Sequence, residues 1–413
     1  MAIINQPFQG QLGEILKKEI EKQYSELTIF SAFAKNSGVL RLKEALEEHR
    51  KNGGKTTAFI GIDLDGTSYE ALLNLYSLCD NLYVIHSESS STTYHSKVYL
   101  LEKSNAAWCA IGSNNLTGGG LWTNFECCNI ETYSLPTELS NLDNIHEIIQ
   151  KYMEDSYECS TKISCKDDID TLLEAGYISK EVTQRIETVS RRQSQKNRQK
   201  KTSLFGKEKV SMPALTINAR PKRSTSSSPY TEVDYHIEPT PLPSAFTNEQ
   251  FWFEMRESTG GSRNILDLSK LGKIASGSVH GSAYEYAQDS SKMYGGVKFF
   301  EIDPEDTTRE KNITINYLGK DYFPSTIKYP TGDKANGSWR VQLKGSPSDG
   351  TDELSRFGNR GDFVHKILVF EKINPDYYVL SLLDESELPR IKDLSRVWAR
   401  NGSNSSSKAY GML

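Results

Sequence analysis

Between Leu27 and Ile130 short apolar runs alternate with amphipathic stretches, and that alternation restricts this part of the chain to an α/β unit. Leu27 to Phe33, Thr57 to Ile62 and Leu82 to Ile85 read as buried strands. The stretch Val39 to Arg50, with Leu40, Leu42 and Leu46 among charges, reads as a helix, as does Tyr69 to Leu78. Asp63-Leu64-Asp65-Gly66 closes the second strand as a turn. Three more strand-like runs follow at Lys97 to Leu101, Ala107 to Ile111 and Phe125 to Ile130. The expected fold of residues 1–150 is a mixed sheet flanked by helices, its central strands covered on both faces.

The pattern then changes twice. Residues 151–190 are polar with helical spacing, and read as a helical appendage leading away from the α/β unit. Residues 191–244 form a Ser/Pro-rich basic linker, with eleven Lys and Arg from Arg191 to Arg223 against a single acid, Glu208. From residue 245 to 413 short strand-like runs recur between Gly-rich turns, at Gly296 to Ile302, Ile313 to Tyr317, Trp339 to Leu343, Lys366 to Glu371 and Tyr377 to Leu382. Strands at that density predict a β-rich barrel or sandwich with little helix.

Composition narrows the function class. The net charge of -5 excludes a generic polycation; the basic stretch between acidic flanks reads either as a solvated linker, which composition alone slightly favours, or as a local polyanion contact. No window reaches the roughly 18 to 20 consecutive apolar residues of a membrane span, and the first residues lack a signal-peptide pattern. The expectation is a cytoplasmic protein with no membrane partner. The six cysteines, with no CxxC pair, read as reduced thiols, and adjacent Cys127 and Cys128 point to opposite faces of a strand.

The chemistry concentrates in His95-Ser96-Lys97, in Gly112-Ser113-Asn114-Asn115 after the next strand, and in Glu126. In extended backbone His95 and Lys97 project to one face, which puts an imidazole beside an ammonium. The Gly-Ser-Asn-Asn turn leaves backbone and amide donors free for an anion. Such a group suits a phosphodiester. An H-x-K alone arises often by chance; its conjunction with the turn and Glu126, in order on strands, does not. No zinc spacing and no H-x-x-x-H helix is present; Asp63 and Asp65 form a D-x-D after a strand, a pattern that can bind Mg²⁺ but is read here as the start of the next helix with Gly66 making the turn, so no metal or other cofactor is expected.

This pattern resembles the phospholipase D superfamily, whose signature is H-x-K, four residues, Asp, then G-S-x-N. His95, Lys97, Gly112, Ser113 and Asn115 match; Glu102 stands where the signature has Asp. The resemblance implies that His95 attacks phosphorus, that Lys97, Asn115 and Ser113 attend the phosphate, and that Glu126 orients the imidazole. It implies a second histidine as general acid. His49, His86, His146, His236, His280 and His365 lack the pattern and read as ordinary histidines, so the second motif is expected from another copy in a homodimer.

The arrangement as a whole is similar to restriction endonucleases of the BfiI and NgoFVII type, in which a phospholipase-D-like nuclease domain is joined to a B3-like DNA-reading pseudobarrel. That likeness implies a metal-independent endonuclease acting on double-stranded DNA, with Arg263, Asn264, Arg340, Gln342 and Lys344 as candidate DNA contacts and Trp339 as core. A cognate methyltransferase and a helicase-like ATPase are possible partners. The alternatives are a phospholipase-type lipid hydrolase, a nuclease active only with its ATPase, and a DNA-binding protein whose α/β unit only dimerises.

Overall fold

The computed structural model describes residues 2–89, 91–187, 210, 212, 249–256, 263–268, 270–331, 337–347, 350–401 and 407–413. The basic linker therefore lies outside the described residues except for Val210 and Met212.

Among the described residues the first sheet has eight strands, in the order β1-β7-β6-β5-β2-β3-β4-β8. These are β1 (Ala2–Gln6), β2 (Glu26–Ser31), β3 (Lys55–Gly61), β4 (Asn81–Ile85), β5 (Lys97–Lys103), β6 (Ala106–Gly112), β7 (Glu126–Ser134) and β8 (Ser160–Lys162). The central strands β2, β3 and β4 are parallel, while β5, β6 and β7 run antiparallel beside them. Alternate residues of β2, β3 and β4 face opposite layers, and both layers are apolar. Leu27, Ile29, Ala58, Ile60, Leu82 and Val84 meet α1 (Leu12–Ile20), α2 (Asn36–Lys51) and α3 (Tyr69–Leu78). Phe30, Phe59, Tyr83 and Ile85 meet Ile145, Ile148, Ile149 and Tyr152 of α4 (Asp143–Met153). Burying each such side chain contributes about 1.5–3 kcal/mol, so helices on both faces hold the sheet.

Of the expected appendage at 151–190, the described residues 151–187 do not lead away from this unit. β8 adds an antiparallel strand beside β4, and Ile163, Ile169 and Ile178 join the same core as α1 to α3. Three residues of Ser-Thr-Lys are too short and too polar to announce a strand beside the helical spacing that surrounds them. A helical segment at 181–187 packs through Val182 and Ile186 on Trp252, Ile367 and Val369 of the second sheet. Its Glu181 carboxylate accepts from the Asn36 amide at 2.7 Å and the Ser68 hydroxyl at 2.8 Å, so one side chain serves the starts of α2 and α3.

The second sheet, among the described residues, has twelve strands: β9 (Gln250–Met255), β10 (Ile265–Leu268), β11 (Leu271–Gly277), β12 (Lys292–Tyr294), β13 (Lys311–Tyr317), β14 (Lys320–Lys328), β15 (Trp339–Gln342), β16 (Ser346–Pro347), β17 (Lys366–Asn374), β18 (Tyr377–Asp384), β19 (Val397–Arg400) and β20 (Ala409–Met412). β10 begins the order and β11 stands next to its end, although only two residues separate them in the chain. The sheet therefore curls back on itself. Its interior holds Phe251, Phe253, Phe299, Phe300, Trp339 and Tyr410, all essentially without solvent contact. The expected strand at Gly296 to Ile302 is instead a short 3-10 turn, Gly296–Lys298, followed by turns, and Val297, Phe299, Phe300 and Ile302 plug the curled sheet. An apolar run without flanking pairing partners fills a core as readily from a turn as from a strand.

The described parts of the two sheets touch. The β13–β14 hairpin tip lies against α3, where Ser77 Oγ donates to the Gly319 carbonyl at 3.2 Å. Lys43 on α2 pairs with Asp321 at 2.6 Å, and Asn74 on α3 donates to Asn316 Oδ1 at 3.4 Å.

Candidate active site

The catalytic candidates sit where β5, β6 and β7 meet. Lys97 opens β5 and its side chain is buried among the strand neighbours, while His95 lies two residues earlier, outside the ladder and exposed. Lys97 Nζ reaches His95 Nδ1 at 2.7 Å and the His95 carbonyl at 2.7 Å. With Lys97 charged, Nδ1 is the acceptor, and a neutral ring carries its proton on Nε2. Burial pushes the Lys97 pKa down, and the Glu126 carboxylate partly opposes that shift.

Glu126 opens β7, one strand beyond the turn that holds Ser113. One carboxylate oxygen accepts from Ser113 Oγ, the other from Asn124 Nδ2 at 3.2 Å. Ser113 Oγ in turn accepts from the Cys127 amide at 3.1 Å. Among the described residues the Glu126 oxygens accept from the Ser113 hydroxyl and the Asn124 side-chain amide, and no imidazole of the same chain bonds to them. Asn115 Oδ1 accepts from the Phe33 amide at 3.2 Å, and the Phe33 ring stands edge-on to the His95 ring at 5.8 Å. Gly112 ends β6, its position in the signature.

Other residues hold this group and gave no signal in spacing. Asn114, the variable position of the signature, is buried and donates to the Gly120 carbonyl at 2.8 Å. Its carbonyl accepts from Tyr99 Oη at 3.0 Å. Gln6, from β1, donates to the Gly120 carbonyl at 3.0 Å and the Asn124 carbonyl at 3.1 Å. Glu102 lies at the other end of β5 and accepts from His146 Nε2 at 2.9 Å, well away from Lys97. Cys127 is exposed and Cys128 buried, as opposite faces of β7 require, and all six cysteines are free.

The second sheet's candidates are dispersed along one edge. Asn264 Nδ2 donates to the Leu343 carbonyl at 3.1 Å, and Arg340 Nε pairs with Asp267 at 3.2 Å. Arg263 is exposed; Gln342 and Lys344 are half-buried. Trp339 is core, its Nε1 donating to the Pro304 carbonyl at 3.2 Å. Among the described residues, no three His, Cys, Asp or Glu side chains gather so as to hold a metal ion, and no helix is long and apolar enough to cross a membrane.

No family model matches the chain, and no curated protein does. Among solved structures it is similar to Nuc, a phospholipase D family member from Salmonella typhimurium, at 17% identity over 40% of this chain and 97% of that one, with a TM-score of 0.29. It is similar to NucT from Helicobacter pylori at 13% identity over 36% of this chain and 94% of that one, with a TM-score of 0.27. It is also similar to the yeast tyrosyl-DNA phosphodiesterase at 15% identity, over 43% of this chain and 41% of that one, with a TM-score of 0.25.

Proposed function

We propose that the chain is a phosphodiesterase of the phospholipase D kind that cleaves double-stranded DNA without a metal, as a homodimer. The observation that carries the reading is the His95–Lys97 contact at 2.7 Å beside the Ser113–Glu126 pair, on adjacent strands and in the signature's order. His95 attacks phosphorus through Nε2 as the neutral tautomer with its proton on Nδ1, its ring first giving up the bond from Lys97 Nζ; the P–N bond forms as the P–O bond to one nucleoside breaks, and a second imidazole gives that oxygen its proton. The same second imidazole then takes a proton from water, which attacks phosphorus and releases His95. Lys97 places positive charge against the non-bridging oxygens, with Asn115 and Ser113 as polar neighbours.

Each chain has one such motif, so the second imidazole comes from a second copy. A surface suited to that copy adjoins Glu126. Ile3, Phe8, Ile111 and Phe125 are exposed by 60%, 70%, 47% and 67%, and the Phe8 and Phe125 rings stack at 5.5 Å. Ile3 and Ile111 flank Asn129 in one row across β1, β7 and β6. These three strands contain no Lys or Arg, which suits a protein surface better than a polyanion. Replacing Phe8 and Phe125 together by Asp is expected to give a monomer in sedimentation and to abolish cleavage. A monomeric wild-type chain that cleaves DNA contradicts the composite site.

Duplex DNA is favoured over lipid by the basic linker, by the polar composition, and by a separate β-rich unit that we read as a B3-like recognition domain. In that reading the protein is a restriction endonuclease, Arg263, Asn264, Arg340, Gln342 and Lys344 lie toward the DNA, and a cognate methyltransferase accompanies it. Discrete fragments from long duplexes, rather than a smear, are the expected product. Binding without cleavage points to a required helicase-like ATPase, and hydrolysis of lipid vesicles in place of DNA overturns the substrate.

A further inference from the structure

The segment that delivers His95 has no ladder of its own: residues 93–96 belong to no helix or strand. Its backbone is held from the side by one carboxylate. Asp63, at the end of β3, is buried and accepts from the Tyr94 amide at 2.9 Å through Oδ2. Its other oxygen, Oδ1, meets His86 Nδ1 at 2.5 Å. His86 follows β4 and is itself fixed, its amide donating to the Cys159 carbonyl at 3.0 Å and its ring packed edge-on to Tyr177 at 5.1 Å.

The turn carrying Asp63 is shaped for this. Leu64 and Asp65 both adopt left-handed backbone, with φ of 57° and 54°, although neither is glycine. Such residues persist only where the surroundings over-determine them. Gly66 then passes so close to the Phe33 ring that a Cβ there would lie 1.9 Å from Cδ1. Phe33 is the residue whose ring meets His95 and whose amide meets Asn115. The loops after β2 and β3 thus each reach the His95 segment through a named contact, and His86, just after β4, reaches it through Asp63.

We propose that Asp63, braced by His86, is a positioning residue for His95: it sets where the imidazole stands relative to Lys97 without touching substrate. This rests on the phosphodiesterase reading for its kinetic consequence, but not for its geometric one. Charge-assisted bonds from a carboxylate to a backbone amide are among the stronger hydrogen bonds, and a nucleophile displaced by about 1 Å loses on the order of 100-fold in rate.

The experiment compares Asp63→Ala, Asp63→Asn and His86→Ala in the full-length protein, reading kcat and KM for DNA cleavage, thermal unfolding, and hydrogen exchange at the Tyr94 amide. Asp63→Ala is expected to lower kcat roughly 10- to 100-fold with KM within about twofold, and to speed Tyr94 exchange at least about tenfold. Asp63→Asn keeps an acceptor for the Tyr94 amide and is expected to recover most of both. His86→Ala removes only the brace and is expected to lose less than Asp63→Ala. Unchanged kcat in Asp63→Ala overturns the proposal. So does a loss in kcat that Asp63→Asn fails to recover while both variants unfold cooperatively like the wild type. Loss of cleavage in His86→Ala as complete as in His95→Ala overturns it too, by making His86 a catalytic acid. If Asp63→Ala does not fold, Asp63→Asn and His86→Ala carry the test through the same two readouts. A wild-type chain that cleaves nothing refutes the phosphodiesterase reading; Tyr94 exchange still decides the clamp, and unchanged exchange in Asp63→Ala refutes it.

Discussion

At the scale of single residues the proposed chemistry depends most on Lys97. Burial lowers its pKa and Glu126 opposes that shift, so the two groups are electrostatically linked although they sit on different strands. In the proposed reaction the charged form attends the phosphate, and a depressed pKa means that it is lost at a lower pH than the ordinary lysine value. Activity is therefore expected to fall on the alkaline side before 10.5, the unperturbed value. Glu126→Gln removes the opposing charge and is expected to move that limb to lower pH still, as a pH–rate profile reads; a limb that stays in place denies the link. Lys97→Met is expected to lower kcat by about 100- to 1,000-fold, the cost typical of removing one donor to a developing oxyanion. His95, Lys97, Ser113 and Glu126 were legible because extended backbone and strand order bring them together along the chain. Gln6, Asp63 and His86 were not, because they reach the site from the ends of other strands, and no spacing in the sequence records that.

At the scale of elements, periodicity recovered what was long and apolar. The helix read from Tyr69 to Leu78 has those limits, and α2 extends the expected stretch to Asn36–Lys51. It missed β1, whose Ala-Ile-Ile-Asn-Gln is a sheet edge with no alternation, and β8, which has three residues. Turn chemistry carried more than strand propensity in the second half. Leu318-Gly319 joins β13 to β14 with φ of 52° and 77°, the doubly left-handed turn that matches the twist of a two-residue hairpin. Gly319 also lies against α3, where a Cβ would meet the Leu73 carbonyl oxygen at 2.5 Å. Gly319→Ala is expected to destabilise the protein by about 1–3 kcal/mol in denaturant unfolding, through both backbone strain and displacement of the hairpin from α3. A wild-type midpoint contradicts that docking.

At the scale of the whole molecule, the contact between the two sheets contains a buried acid. Glu70 of α3 accepts from Ser381 Oγ of β18 at 3.0 Å and from the Glu181 amide at 2.9 Å. Burial, with the nearby Glu181 charge, raises its pKa from 4.5 to about 7. A raised carboxyl pKa favours the folded state most below the unfolded value and loses that advantage as pH rises to the folded value. Stability is expected to decline between pH 4.5 and about 7, by roughly 3 kcal/mol for this group. Glu70→Gln can keep both bonds, because the Ser381 hydroxyl can turn to accept. It is expected to match the wild type near pH 5 and to exceed it at pH 8; equal stability at both values contradicts the assignment. The α/β class and the curled β-rich unit were legible from strand density. Their mutual contact was not, since Lys43, Glu70 and Asn74 read as ordinary helix polar residues until their partners at Asp321, Ser381 and Asn316 are seen.

The most direct measurement of the central claim is cleavage of long duplex DNA by the purified protein in EDTA, run beside His95→Ala. Discrete fragments that persist in EDTA and vanish in the variant are expected, with the variant's unfolding midpoint unchanged. Fragments that His95→Ala still produces, or that EDTA abolishes, contradict the claim.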